Sequence, residues 1–107
     1  MAQMFYVGTC RICEQGTLGL RTCGQCEAIA IVCDECDVAW DSPDFTEKPT
    51  VANETTLPCP TCGESLYGGA SHWSTKPEID RRAWLQTAIE SGRLHLASGE
   101  AREPEVN

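Results

Sequence analysis

At 107 residues, with eight cysteines and a formal charge of −8, the chain is one small domain. It has too few large apolar side chains to close a core without a staple. Its 16 Asp and Glu against 8 Lys and Arg disfavour generic nucleic-acid binding, which takes clustered basic residues, and favour a basic protein partner. No stretch approaches the roughly 20 apolar residues that span a bilayer, so no membrane role is expected.

The N-terminal stretch Met1-Ala2-Gln3-Met4-Phe5-Tyr6-Val7-Gly8 lacks the basic start and apolar run of a secretory leader. The expectation is a cytoplasmic protein, in a reducing compartment where thiols persist and disulfides are rare. Residues 1 to about 40 then carry three C-x-x-C pairs: Cys10 with Cys13, Cys23 with Cys26, and Cys33 with Cys36.

A β-hairpin is predicted around the second pair. Cys23-Gly24-Gln25-Cys26 fits a two-residue turn with glycine first. That register sets Leu18 against Ile31 and Leu20 against Ile29 on one apolar face, with Thr17 against Val32 and Gly19 against Ala30 on the other. Residues 41–58 carry three prolines and little periodicity, which reads as a loop returning the chain toward the cysteines. Cys59-Pro60-Thr61-Cys62-Gly63 supplies the fourth pair.

A helix follows. Thr75-Lys76-Pro77-Glu78 has the form of a capping box with proline tolerated in the first turn. Ile79, Ala83, Ile89 and either Trp84 or Leu85 make its expected buried stripe, with Arg81, Arg82 and Glu90 outward and Gly92 as the stop. The organisation is therefore 1–74 as a two-zinc ribbon-like domain, 75–97 as a helical segment packed on it, and 98–107 as a disordered polar tail. The fold class is small α+β, stabilised by zinc, with a β-hairpin zinc-ribbon or cross-brace core and a C-terminal helix.

Four C-x-x-C pairs within 53 residues, with no cysteine left over, point to two structural zinc ions. Each pair turns both sulfurs to the inside of one tight loop, and two such loops face each other across a tetrahedral ion. Iron is the runner-up metal, since Cys59-Pro60-Thr61-Cys62-Gly63 also resembles a rubredoxin knuckle. In the predicted hairpin, Cys13 falls opposite Cys36 at the open end while Cys23 and Cys26 sit at the tip. The expected grouping is therefore Cys10, Cys13, Cys33 and Cys36 around one zinc, and Cys23, Cys26, Cys59 and Cys62 around the other. Sequential grouping, first pair with second and third with fourth, is the alternative.

Cys10-Arg11-Ile12-Cys13, Cys36-Asp37-Val38-Ala39-Trp40 and Cys59-Pro60-Thr61-Cys62 resemble the landmarks of a RING-type cross-brace domain, over residues 10–63. The resemblance implies interleaved zinc sites and docking of a ubiquitin-conjugating enzyme on the matching positions, Ile12, Trp40 and Pro60. The second pair is Cys-x-x-Cys where a RING usually has a histidine, and the strand Ala28-Ile29-Ala30-Ile31-Val32 is more like a zinc-ribbon hairpin.

Asp34, Glu35 and Asp37, with Asp41 and Asp44, form an acidic edge around the third pair that would suit a basic partner. Eight thiolates complete two four-ligand shells, so His72 and His95 are not needed as ligands. No catalytic triad, phosphate-cradling loop or small-molecule substrate site is evident, and the chain is expected not to be an enzyme. The functional expectation is a non-catalytic protein–protein interaction or regulatory module. The alternatives are a RING-like ubiquitin ligase adaptor, an immunity-type inhibitor of a basic toxin, and a nucleic-acid-associated zinc ribbon.

Overall fold

The computed structural model describes residues 3–100 except 11, 15, 34, 43–47, 55 and 69. In chain order its elements are β1 (Gln3–Thr9), β2 (Thr17–Thr22), β3 (Ile29–Cys33), β4 (Val38–Trp40), β5 (Thr50–Val51), β6 (His72–Trp73), α1 (Lys76–Asp80), α2 (Ala83–Glu90) and β7 (Ala97–Glu100). The strands form one antiparallel sheet in the order β5-β4-β3-β2-β1-β7, with β6 also pairing β2, at Arg21 and Thr22.

The expected hairpin is present as β2 and β3, but two residues out of the expected register. Leu18 lies opposite Cys33, Leu20 opposite Ile31 and Thr22 opposite Ile29. The closing pair is Cys23 with Ala28, whose carbonyl accepts the Cys23 N–H at 2.9 Å, so the turn holds four residues instead of two. A shift of two leaves every side chain on its expected face, because strand side chains alternate with period two.

That alternation divides the core. Leu18, Leu20, Ile29, Ile31, Val38 and Trp40 share one buried cluster with Ile79, Leu85, Ala88 and Leu94 of the helical region. Ala30, Val32 and Ala39 face the other way and pack with Leu57 and Leu66, which flank the fourth cysteine pair. The sheet is thus covered by helices on one side and by the returning loop on the other, which explains why all five residues of β3 are buried.

The capping box forms as expected: the Thr75 hydroxyl accepts the Glu78 N–H, and the Glu78 carboxylate accepts the Thr75 N–H at 2.8 Å. The single helix expected after it does not. The backbone leaves the helix at Arg82 (φ −97, ψ 105) and restarts as α2. In one straight helix, at about 100° per residue, Ile79 and Leu85 would point about 120° apart. The break turns both inward, and Ala88 completes the stripe, while Ala83 is exposed and Trp84 and Ile89 are half-buried.

The α2 helix ends as expected at Gly92, in the left-handed region at φ +82. The Gly92 N–H donates to the Ile89 carbonyl and the Arg93 N–H to the Ala88 carbonyl, the paired bonds of a Schellman motif.

The tail expected from residue 98 begins instead as strand. β7 pairs with β1, Met4 opposite Gly99 and Tyr6 opposite Ala97, so it satisfies the outer edge of β1. No helix among the described residues is long and apolar enough to cross a membrane.

Candidate metal centres

Each C-x-x-C pair forms the same knuckle. The N–H two residues after the first cysteine points at that cysteine's sulfur: Ile12 to Cys10, Gln25 to Cys23, Glu35 to Cys33 and Thr61 to Cys59, at 3.4–3.5 Å. The residue after the second cysteine is left-handed in all four: Glu14 (φ 59), Glu27 (φ 63), Asp37 (φ 52) and Gly63 (φ 82). That conformation costs a non-glycine residue about 1–2 kcal/mol, and it turns the chain back so that both sulfurs face one point.

The knuckles meet in two groups. Cys10, Cys13, Cys33 and Cys36 form one tetrad, and Cys23, Cys26, Cys59 and Cys62 the other, the sulfurs of each lying within 4.8 Å of one another. This is the interleaved grouping; the sequential alternative is not the one adopted. Across the knuckles, Cys10 and Cys36 sulfurs are 3.7 Å apart, Cys13 and Cys33 3.6 Å, Cys23 and Cys62 3.6 Å, and Cys26 and Cys59 3.7 Å.

A tetrahedron of thiolates at about 2.3 Å from a central zinc has edges of about 3.8 Å, while a disulfide needs about 2.05 Å. The spacing fits a four-thiolate metal site, and the two tetrads could hold two metal ions. Four sulfurs suit zinc or iron alike.

Electrostatics favour a cation. Burial pushes the Cys33 thiol up to about 11 against the pull of the Cys36 and Glu35 N–H groups. Burial, then the Cys33 and Cys10 sulfurs, push Cys36 well above the usual thiol range. Cys23 goes the other way: burial works to raise it, but the Cys26 and Gln25 N–H groups and the neighbouring thiols bring it down to about 7. One thiol in a cluster ionises at the expense of its neighbours. A divalent cation removes that conflict, because it stabilises all four thiolates at once.

Two polar struts brace the centres. The Tyr67 hydroxyl, beyond the fourth knuckle, donates to the Asp37 carboxylate at 2.5 Å, just past the third. Tyr67 thus ties the two centres together, and burial plus the Asp37 carboxylate hold its phenol proton on well above the usual range. Arg21, buried in β2, donates from Nε to the Leu66 carbonyl at 2.5 Å and from Nη2 to the Ser71 carbonyl at 3.2 Å, with its guanidinium 4.7 Å from the Trp73 ring centroid. It fastens the hairpin to the returning segment.

At the α1–α2 break the Arg82 guanidinium donates to the carbonyl of Glu27, the left-handed residue of the second knuckle. Gly24 in that knuckle sits against the returning chain: a Cβ there would lie 2.5 Å from the Ala70 carbonyl carbon and 2.6 Å from the Ser71 nitrogen. The glycine is needed for this close approach, not for the turn expected of it.

The surface residues named from sequence divide. Ile12 is exposed at the tip of the first knuckle and Pro60 is half-buried in the fourth, so they belong to different tetrads. Trp40 is only 3% exposed and lies in the main core, which corrects its assignment to a docking surface. The reason is its register: Trp40 opposes Ile31, whose face points to the helices.

Glu35 is exposed, but Asp37 is half-buried and engaged by Tyr67, so it is a strut and not part of an open acidic edge. Asp34 and Asp44 lie outside the described residues. His72 binds the Ala70 carbonyl through Nδ1 at 2.8 Å and the Glu78 carboxylate through Nε2 at 3.0 Å.

The roles of Arg21, Tyr67 and Arg82 escaped the sequence reading. Each acts across 30 residues or more of chain, and no local pattern marks such a partner. No family model, no curated protein and no solved structure matches the chain.

Proposed function

We propose that this chain is a non-catalytic zinc protein whose two metal ions hold together a surface for a protein partner. The observation that carries the zinc reading is the pair of four-cysteine tetrads with tetrahedral sulfur spacing. Four thiolates fill the coordination sphere of a zinc ion, and catalytic zinc keeps a position open. Both ions are therefore structural, and their binding free energy is folding free energy.

The interaction reading draws on charge and exposure. Eight thiolates and two divalent cations deepen the formal charge of −8 by four, to about −12. The exposed Ile12 adds an apolar contact at one end. A basic protein in the cytoplasm is the partner such a surface suits. The burial of Trp40 weighs against a ligase adaptor, whose docking would need that side chain at the surface.

Elemental analysis of freshly purified protein should return two zinc atoms per chain, and iron or a count well below two would overturn the metal assignment. A pull-down should then recover one dominant protein that is lost when Cys59→Ser opens the second tetrad. Recovery of the same protein by the opened variant, or of nucleic acid in place of protein, would overturn the interaction reading while leaving the zinc reading intact.

A further inference from the structure

The two tetrads are alike in ligands and unlike in surroundings. In the first, Cys10 and Cys33 are buried members of the main core, and Cys13 and Cys36 pack against it. In the second, Cys23 and Cys59 are buried, but Cys26 and Cys62 are exposed and belong to neither apolar cluster. Each exposed sulfur has a buried one from the facing knuckle beside it, Cys62 next to Cys23 at 3.6 Å and Cys26 next to Cys59 at 3.7 Å.

Susceptibility of a cysteine to oxidants follows thiolate character and access. Metal binding supplies the first to all eight sulfurs, and the fold gives the second most fully to Cys26 and Cys62, with Cys13 and Cys36 half-buried.

We propose that the second tetrad is an oxidation site at which a small peroxide converts Cys26 or Cys62 to a disulfide and expels that tetrad's metal, while the first tetrad keeps its own. The proposal rests on the zinc reading above. The exposed thiolate sulfur attacks one peroxide oxygen, the O–O bond breaks, and the departing hydroxide takes a proton from solvent to become water. The adjoining buried thiolate then attacks the oxidised sulfur, the S–S bond forms, and the S–O bond breaks to release a second water with a second proton. Two electrons pass from the sulfurs to the peroxide. The zinc ion, left with two thiolates, dissociates, and a dithiol reductant with fresh zinc restores the site.

A S–S bond requires the sulfurs to close from 3.6 or 3.7 Å to about 2.05 Å. The exposed side of the knuckles permits that movement, whereas the first tetrad is packed against the core.

The test uses the full chain loaded with zinc and counted by elemental analysis. Hydrogen peroxide is added in modest excess with a chromophoric chelator present, and the remaining thiols are alkylated under denaturing conditions for peptide mapping. One zinc per chain should leave about ten-fold or more faster than the other, as exposure dictates, with the oxidised cysteines confined to Cys23, Cys26, Cys59 and Cys62. Release of both ions at one rate, or oxidation first among Cys10, Cys13, Cys33 and Cys36, would overturn the proposal and leave the zinc reading standing. A starting count near zero would overturn the zinc reading and this proposal with it.

Discussion

The first centre is built into the main core, and the second is built between the hairpin tip and a loop that must come back to meet it. At the first, Cys10 and Cys33 touch the same apolar cluster as Leu18, Ile31 and Trp40. At the second, the buried pair Cys23 and Cys59 sit in a smaller cluster closed by Leu57 and Leu66. Identical ligand chemistry thus does different structural work. The first centre anchors a sheet that has its own apolar support, while the second substitutes for such support where a long loop crosses the sheet.

The largest effect expected from this contrast comes from breaking one tetrad at a time. Cys33→Ser removes a ligand that is also a core side chain, 0% exposed and opposite Leu18. With zinc as the proposed metal, such a centre contributes on the order of 10 kcal/mol, comparable to the whole stability of a small domain, so this variant should lose its sheet signal in circular dichroism. Cys62→Ser, at an exposed ligand, should retain one metal ion per chain and the β2–β3 hairpin. If the two variants unfold alike, the centres are not separable.

Next in size is Gly24→Ala. Its new methyl meets backbone at 2.5 Å, and overpacking of this kind costs about 1–3 kcal/mol. The strain falls on the second knuckle alone, so chelator competition should find weakened binding of one metal ion and unchanged binding of the other.

Tyr67→Phe deletes the bond to Asp37 that joins the centres. Hydrogen bonds to charged groups contribute about 1.5–3 kcal/mol, and with Asp37 half-exposed the lower end is expected in denaturant unfolding.

Glu27→Gly acts in the opposite direction. Glycine occupies φ +63 without the clash that a side chain meets there, though it loosens the unfolded chain. The net expectation is a gain of about 0.5 kcal/mol in thermal unfolding of the metal-loaded protein. Because the Glu27 carbonyl is backbone, its bond with Arg82 should survive the change.

The smallest effect is pH-dependent and lies outside both tetrads. The Ala70 carbonyl raises His72 above its ordinary value of 6.5, burial opposes this, and Glu78 adds to the rise. Glu78 is lowered below its ordinary 4.5: burial works to raise it, but the Thr75 N–H and His72 outweigh burial. The histidine contribution is complete below 6.5 and fades as pH rises through its raised value. The glutamate contribution is complete above 4.5 and fades as pH falls through its lowered value. Both are therefore at full strength between 4.5 and 6.5. His72→Gln should destabilise most in that window, by a few tenths of a kcal/mol for so exposed a pair, and progressively less toward pH 9. A difference from wild type that does not vary with pH would exclude this ion pair as its source.

What the amino-acid sequence determined alone is what local chemistry encodes. Cys-x-x-Cys bends a chain into a knuckle whatever surrounds it. Alternation put Leu18, Leu20, Ile29 and Ile31 on one face, and a period of two kept them there even though the turn proved two residues longer. The Thr75–Glu78 box and the Gly92 stop are likewise four- and six-residue devices.

The tertiary structure decided what depends on distant partners. The helix breaks at Arg82 because only then do Ile79 and Leu85 both reach the core. Residues 97–100 become a strand because β1 offers an edge to pair with. Trp40 is buried because Ile31 faces the helices. Above all, the accessibility that separates the tetrads belongs to no residue singly: Cys26 and Cys36 are the same amino acid at the same place in the same motif, and only the packing of the chain around each leaves one exposed and the other half-buried.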